Sequence, residues 1–265
     1  MIGSLWKRRL KSGLGWLLFQ SGIYRWFLRN RSVVVLFHRV DDRRKGNPIS
    51  CTVGEFEAFC RFFARYFDVI GFSELLARLE RDAPIGGSLV ITFDDGYRDN
   101  YTAAMPVLLQ YRLPATFFIA TDFIGTDRIP WWDAELGIVS EWMTWDEVRA
   151  LHHAGFEIGA HTCNHVDLGE VHGIEAENEI LGSVERLESE LETAIRLFSY
   201  PYGRKHQITE ANREFVRQAG LRCCPSAFGG IVKAGDDPYH LLRQPISPWH
   251  ISPWQFGFEL FFAKR

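Results

Sequence analysis

The run Leu89-Val90-Ile91-Thr92-Phe93 ends on two adjacent carboxylates and a glycine, Asp94-Asp95-Gly96. Five apolar or β-branched residues in succession read as a buried strand. Neighbouring side chains of a strand point to opposite faces, but where the strand ends and the chain turns, both acids can enter one pocket. Two carboxylates held close repel and shift each other's pKa unless a cation takes one of them. Ligands for such a cation lie 66 residues further on, in His161-Thr162-Cys163-Asn164-His165, again just after a short apolar strand, 156–160. One Asp and two His make a three-ligand metal site with room left for water, as a hydrolytic metal needs.

Each feature also has a plainer reading. Asp95 could cap a following helix and Asp94 could bond a turn amide, since Asp-Asp-Gly is ordinary turn chemistry. The i, i+4 histidines could be core or capping groups. Taken together, at two strand ends, they favour the metal site.

At 265 residues, 46% hydrophobic and 24% charged, the chain is large enough for one sizeable core, a single α/β domain over 32–265 preceded by a basic arm over 1–31. The arm carries Lys7, Arg8, Arg9, Lys11, Arg25, Arg29 and Arg31 and no acid; the rest holds 23 basic and 33 acidic groups, net −10. Such asymmetry points to an anionic partner. The run Trp16-Leu17-Leu18-Phe19 is too short for a signal peptide or a bilayer span. Trp6, Leu14, Trp16, Leu17, Leu18, Tyr24, Trp26, Phe27 and Leu28 interleave with the bases, which suits an interfacial helix on anionic lipid or a helix packed across the domain's own surface. Five cysteines (51, 60, 163, 223, 224) show no framework spacing, so free thiols in a reducing compartment are expected, and Cys163 reads as a packed thiol rather than a ligand. The expected location is cytoplasmic, peripheral at the inner face of the cell membrane, with no nucleic-acid partner.

Strands and helices alternate. Strands are expected at 32–37, 68–71, 88–93, 115–120, 156–160, 195–200, 222–226 and 241–246. Apolar spacing at Phe56, Phe59, Phe63 and Phe67 predicts a helix, as do Ser73 as an N-cap, 99–111, Thr144-x-x-Glu147 as a capping box, 174–193 and 207–219. Repeated βα units fit a parallel barrel with its site at the strands' C-terminal ends.

Read in order, Thr92-Phe93-Asp94-Asp95-Gly96, His161-Thr162-x-x-His165 and Tyr200-Pro201-Tyr202-Gly203 resemble the first three motifs of the polysaccharide deacetylase family, the NodB-homology carbohydrate esterases, over roughly residues 33 to 247. The resemblance implies a distorted (β/α) barrel of about seven parallel strands. It also implies a metal-dependent hydrolase that removes N-acetyl groups from N-acetylhexosamine in a polysaccharide, oligosaccharide or lipid-linked sugar. Asp95, His161 and His165 would hold a divalent metal, zinc first and other first-row ions after it. Asp94 would be the base and the Tyr202 N–H an oxyanion donor. Two departures stand out. No histidine follows the late strand, whereas His38 closes the first one; this resembles a permuted exopolysaccharide-deacetylase subgroup and makes His38 the general acid. Ser199 occupies the place of the family's arginine that holds the base, and Arg243 is the candidate replacement. Two further readings remain: a deformylase or small-amide hydrolase of this fold, such as one acting on lipid-linked aminoarabinose, and a non-catalytic carbohydrate-binding relative. Trp131, Trp132, Trp145 and Tyr200 are candidate sugar-stacking groups.

Overall fold

The computed structural model describes residues 2–222, 225–227 and 229–263. Two helices, α1 (Ile2–Gln20) and α2 (Ile23–Leu28), lead into strand β1 (Arg31–Phe37). A small two-stranded pair, β2 (Arg39–Val40) and β3 (Ser50–Cys51), precedes α3 (Val53–Tyr66). There follow β4 (Asp68–Val69), α4 (Phe72–Glu80), β5 (Ser88–Phe93), α5 (Met105–Tyr111), β6 (Thr116–Ile119), α6 (Trp131–Ala134), α7 (Trp145–His153) and β7 (Glu157–Ala160). The chain continues through α8 (Gly173–Leu191), α9 (Glu210–Gln218), β8 (Val232–Lys233), β9 (Gln244–Pro245) and α10 (Pro253–Leu260).

The main sheet runs β7-β6-β5-β1-β8, with β4 also on β5 and β9 also on β1. It is a curled, mostly parallel sheet, a half-barrel. β5 is buried along its whole length and β1 at every residue but its first, which is why both read as apolar runs rather than as alternating ones. Val33, Val35, Phe37, Leu89, Ile91 and Phe93 pack with the α3 phenylalanines, while Val34, Val90 and Phe118 meet Phe72, Leu75 and Leu76 of α4. The parallel register Phe37↔Phe93 makes His38 and Asp94 the next residues off two adjacent strand ends.

Several expected elements differ in detail. β8 runs antiparallel, pairing Ser32 with Val232, so the sheet is not parallel throughout. The strand expected at 195–200 is reduced to a bridge between Phe198 and Ala160, because Pro201 has no N–H to extend the ladder. Similarly, 241–246 shrinks to Gln244–Pro245 plus a bridge from Leu242 to Ser226. Around that bridge, Cys223 and Cys224 of the expected 222–226 strand lie outside the described residues. The helix expected over 99–111 opens with a π turn, Asn100–Ala104, which accommodates the missing N–H of Pro106. Ser73 is not the N-cap of α4: the cap is Gly71, and the carboxylate of the distant Glu157 accepts from the N–H of Phe72 (2.6 Å) and of Ser73 (3.0 Å). The Thr144 capping box on α7 is present.

The helices α1 and α2 pack on the rest of the fold. Gly15 of α1 lies against Trp254 so closely that a Cβ there would come within 1.9 Å of the Trp254 carbonyl oxygen. Ser12 meets Ser252 (2.7 Å), Lys11 pairs with Glu259 (2.8 Å), and Phe19, Tyr24 and Leu28 are buried. No helix among the described residues is long and apolar enough to cross a membrane.

Candidate metal centre

Asp94 and Asp95 leave the C-terminal end of β5, and both are buried. Asp95 takes a left-handed backbone, φ 79°, and so do Thr162 (62°), His165 (54°) and Tyr202 (59°). Non-glycine residues are held there only where surrounding structure over-determines them, at a cost of order 1–3 kcal/mol each. At the site that strain turns Asp95 and His165 toward each other: Oδ1 of Asp95 lies 3.2 Å from Nε2 of His165 and 3.5 Å from Nε2 of His161.

His161 follows β7, and its N–H donates to the Ile119 carbonyl (3.0 Å). Its Nδ1 lies 2.7 Å from the Ser199 carbonyl, an oxygen that can only accept, so Nδ1 carries the hydrogen and the Nε2 lone pair faces Asp95. His165 is wedged between the rings of Trp132 and Tyr202, each centroid 4.6 Å away. One ligand atom from each of Asp95, His161 and His165 lies within 4.8 Å of the other two. Asp95 Oδ1 is buried and receives no well-formed hydrogen bond, which an arriving cation would remedy. An Asp with two imidazoles is a donor set that suits zinc or another first-row ion.

Asp94 is gripped from behind. Arg243, fully buried, donates from Nη1 to Oδ1 (2.8 Å) and from Nη2 to Oδ2 (2.6 Å), while Nη2 also reaches Ser199 Oγ (2.9 Å) and Nη1 reaches Thr92 Oγ1 (3.2 Å). The small Ser199 therefore leaves room for, and bonds to, a guanidinium arriving from just before β9. Burial pushes the Asp94 carboxyl up, but Arg243 and His161 outweigh it and hold the group below the usual carboxylate range. Burial likewise opposes ionisation of Asp95, and His165 and His161 overcome it, leaving its pKa well below the ordinary value.

His38 lines the same cleft, of about 260 Å³, as Asp94, Asp95, His161, His165 and Tyr202. Asn100 Nδ2 donates to its carbonyl oxygen (2.7 Å) and fixes the backbone there. Burial lowers its pKa; Asp95 and Asp94 pull it back, Arg243 and His161 push down again, and the net value lies below that of free imidazole. Cys163 sits beside the candidate ligands without joining them: burial first, with the Glu179 and Asp122 charges adding to it, pushes its thiol up to about 11.

Two of the four candidate stacking rings, Trp131 and Trp132, line the cleft; Tyr200 is fully buried and Trp145 packs under Arg186. A second buried network escaped the sequence reading. Asp133 accepts from Arg39 at both oxygens (3.1 and 2.6 Å) and from Ser140 Oγ (2.6 Å). Arg39 also lies over the Tyr97 ring at 3.8 Å, and the Tyr97 hydroxyl accepts from Trp132 Nε1 (2.8 Å). These contacts hold Trp132 against His165. Nothing local in Trp131-Trp132-Asp133 announces a partner 94 residues away.

The polysaccharide deacetylase family model matches residues 82–224. YxkH of Bacillus subtilis, a protein classed with the polysaccharide deacetylases, is 26% identical over 218 residues, 81% of this chain and 71% of that one. Two solved structures share the fold: the Streptococcus pyogenes deacetylase PplD (TM-score 0.72, 20% identity, 86% of this chain and 97% of that one) and IcaB from Ammonifex degensii (0.70, 20%, 85% and 97%).

Proposed function

The chain belongs to the polysaccharide deacetylase family, and from that premise we propose that it is a metal-dependent hydrolase releasing acetate from an N-acetylhexosamine in a polysaccharide, oligosaccharide or lipid-linked sugar. The observation that carries the reading is the buried Asp95–His161–His165 cluster, with an orphaned Asp95 oxygen, beside an Arg243-bound Asp94. A divalent ion held there lowers the pKa of water and polarises a carbonyl when bound.

The remaining work falls to the chain's own side chains. Asp94 stays ionised, and because Arg243 uses one lone pair of each oxygen, another remains to accept the proton of the attacking water. The Tyr202 N–H, aimed by Pro201 and the left-handed turn at Tyr202, donates to the oxygen that gains charge as the acetamide carbon becomes tetrahedral. The amide nitrogen leaves only once protonated. His38, one strand over from Asp94, is placed to supply that proton as the imidazolium, and the proton that Asp94 takes from the water replaces it over the cycle, so the count closes. The carbon–nitrogen bond breaks to give acetate and a free amine. Trp131, Trp132, Leu136 and Ile49 give the cleft apolar walls, which suit a sugar face and also the apolar part of a lipid-linked substrate.

The test is a screen of the metal-loaded protein against N-acetylated oligosaccharides and lipid-linked sugars, with the released acid identified. Acetate release, abolished by chelation, is expected. Formate in its place would move the enzyme to the deformylases of this fold; binding without release of any acid would make it a carbohydrate-binding relative.

A further inference from the structure

We infer that α1 and α2 form a docking face for an anionic lipid bilayer, separate from the Asp95 site. Trp6 (64% exposed), Leu10, Leu14 and Leu17 (56%) recur about one turn apart and form an open apolar stripe. The stripe lies on the side of the helix opposite Gly15, and Gly15 is pressed onto Trp254. With Phe19 buried and Lys11 paired to Glu259, the inner face of α1 is committed and the stripe cannot turn into the core. Ile23 and Trp26 (68%) continue the exposed apolar surface onto α2.

Charge decides the occupant. The segment 1–31 holds seven bases and no acid, against a net −10 for the remainder. With Lys11 turned to Glu259, a second copy docked through the same face would still set one basic arm against another, and a nucleic acid would leave the tryptophans and leucines uncovered. An anionic bilayer satisfies both: apolar side chains enter the acyl boundary while the bases meet headgroups. At the end of the arm a cleft of about 330 Å³ is lined by Arg25, Arg29 and Arg65, with Tyr24 and Tyr66 and no carboxylate. It has the size and charge to take a lipid phosphate.

The experiment is vesicle flotation of the full-length protein with phosphatidylcholine alone and with phosphatidylcholine containing phosphatidylglycerol, at low and high salt. Removing the arm would expose the contacts of Phe19, Tyr24 and Leu28, so point variants are used instead. Trp6→Ser/Leu10→Ser/Leu17→Ser changes only exposed side chains and is expected to lower partitioning into the anionic vesicles by about tenfold or more. Arg25→Gln/Arg29→Gln is expected to lower it about fivefold per base, with a shallower salt dependence. Circular dichroism and deacetylation of a soluble substrate should be unchanged in both. Binding failure would leave the proposed chemistry standing, and chemical failure would leave the binding standing. Equal binding to neutral and anionic vesicles, no binding to either, unaltered binding by the triple variant, or a dimer in sedimentation that the triple variant dissolves would each overturn the inference.

Discussion

Arg243 donates to both carboxylate oxygens of Asp94, at 2.8 and 2.6 Å, from a position that sequence order places 149 residues away. The pair is fully enclosed, and the same guanidinium bonds Ser199, the position at which the family resemblance leads one to expect an arginine. Removing one partner of a buried ion pair costs about 3–5 kcal/mol, because the other is left charged and unpaired. Arg243→Met is therefore expected to lower stability by that order in denaturant melts at pH 7. The Asp94 carboxyl lies below its unfolded value, so its contribution is present above about pH 3.9 and lost as pH falls through the folded pKa. Without Arg243 the burial wins, the carboxyl rises, and the acidic limb of kcat/KM moves to higher pH. An unmoved limb would contradict the assignment of Asp94 as the base.

If Ser199 and Arg243 together replace the usual arrangement, the charge can be moved. Ser199→Arg alone buries a second guanidinium beside the first and should be severely destabilising. Ser199→Arg with Arg243→Ser should recover both folding and part of kcat. Failure of the double variant to improve on Ser199→Arg would count against the two positions sharing one task.

His38→Ala is expected to lower kcat on an amide by roughly 10²–10⁴-fold. An activated ester, whose leaving group needs no proton, should be hurt far less, with metal content unchanged. Equal loss on both substrates would remove His38 from the general-acid role. In metal-free protein the lowered imidazole pKa has a stability signature: the unfolded chain binds the proton more readily, so stability falls as pH drops below about 6.5 until the folded pKa is reached. His38→Gln should flatten part of that fall.

Arg39 and Asp133 hold Trp132 on His165 through Tyr97. Arg39→Met is expected to cost about 3–5 kcal/mol of stability. In the surviving folded enzyme, KM for an oligosaccharide should rise more than kcat falls, and metal should be retained. A fall in kcat alone would show that the network does not act through the tryptophan wall.

The parts of this protein that sequence revealed are those with local signatures. Asp94-Asp95-Gly96 and the paired histidines were legible because each is local and they occur together at strand ends, and the β1 and β5 runs because burial on both faces leaves no alternation. What was missed depends on distant contacts. Glu157 caps α4 across 84 residues and displaces Ser73 from that role; Asp133 finds Arg39 through the fold. Pro201 cut short a strand whose apolar pattern predicted a longer one, and Pro106 turned the start of its helix into a π turn, since a missing N–H alters the hydrogen-bond ladder regardless of hydropathy. The N-terminal stretch read as either a packed or an interfacial helix because its residues divide between a face that packs and a face that stays exposed, and Gly15 on Trp254 with Lys11 on Glu259 marks the packed one.

The central claim is that Asp95 binds the ion while its neighbour Asp94 moves the proton. It is tested most directly by metal content per chain, measured beside acetate release, in Asp95→Ala, His165→Ala and Asp94→Asn after loading with zinc. The account predicts that the first two lose both metal and turnover, whereas Asp94→Asn keeps one ion per chain and loses turnover by roughly 10²–10⁴-fold. Full acetate release from thoroughly metal-free protein, or loss of metal from Asp94→Asn with retention in Asp95→Ala, would contradict it.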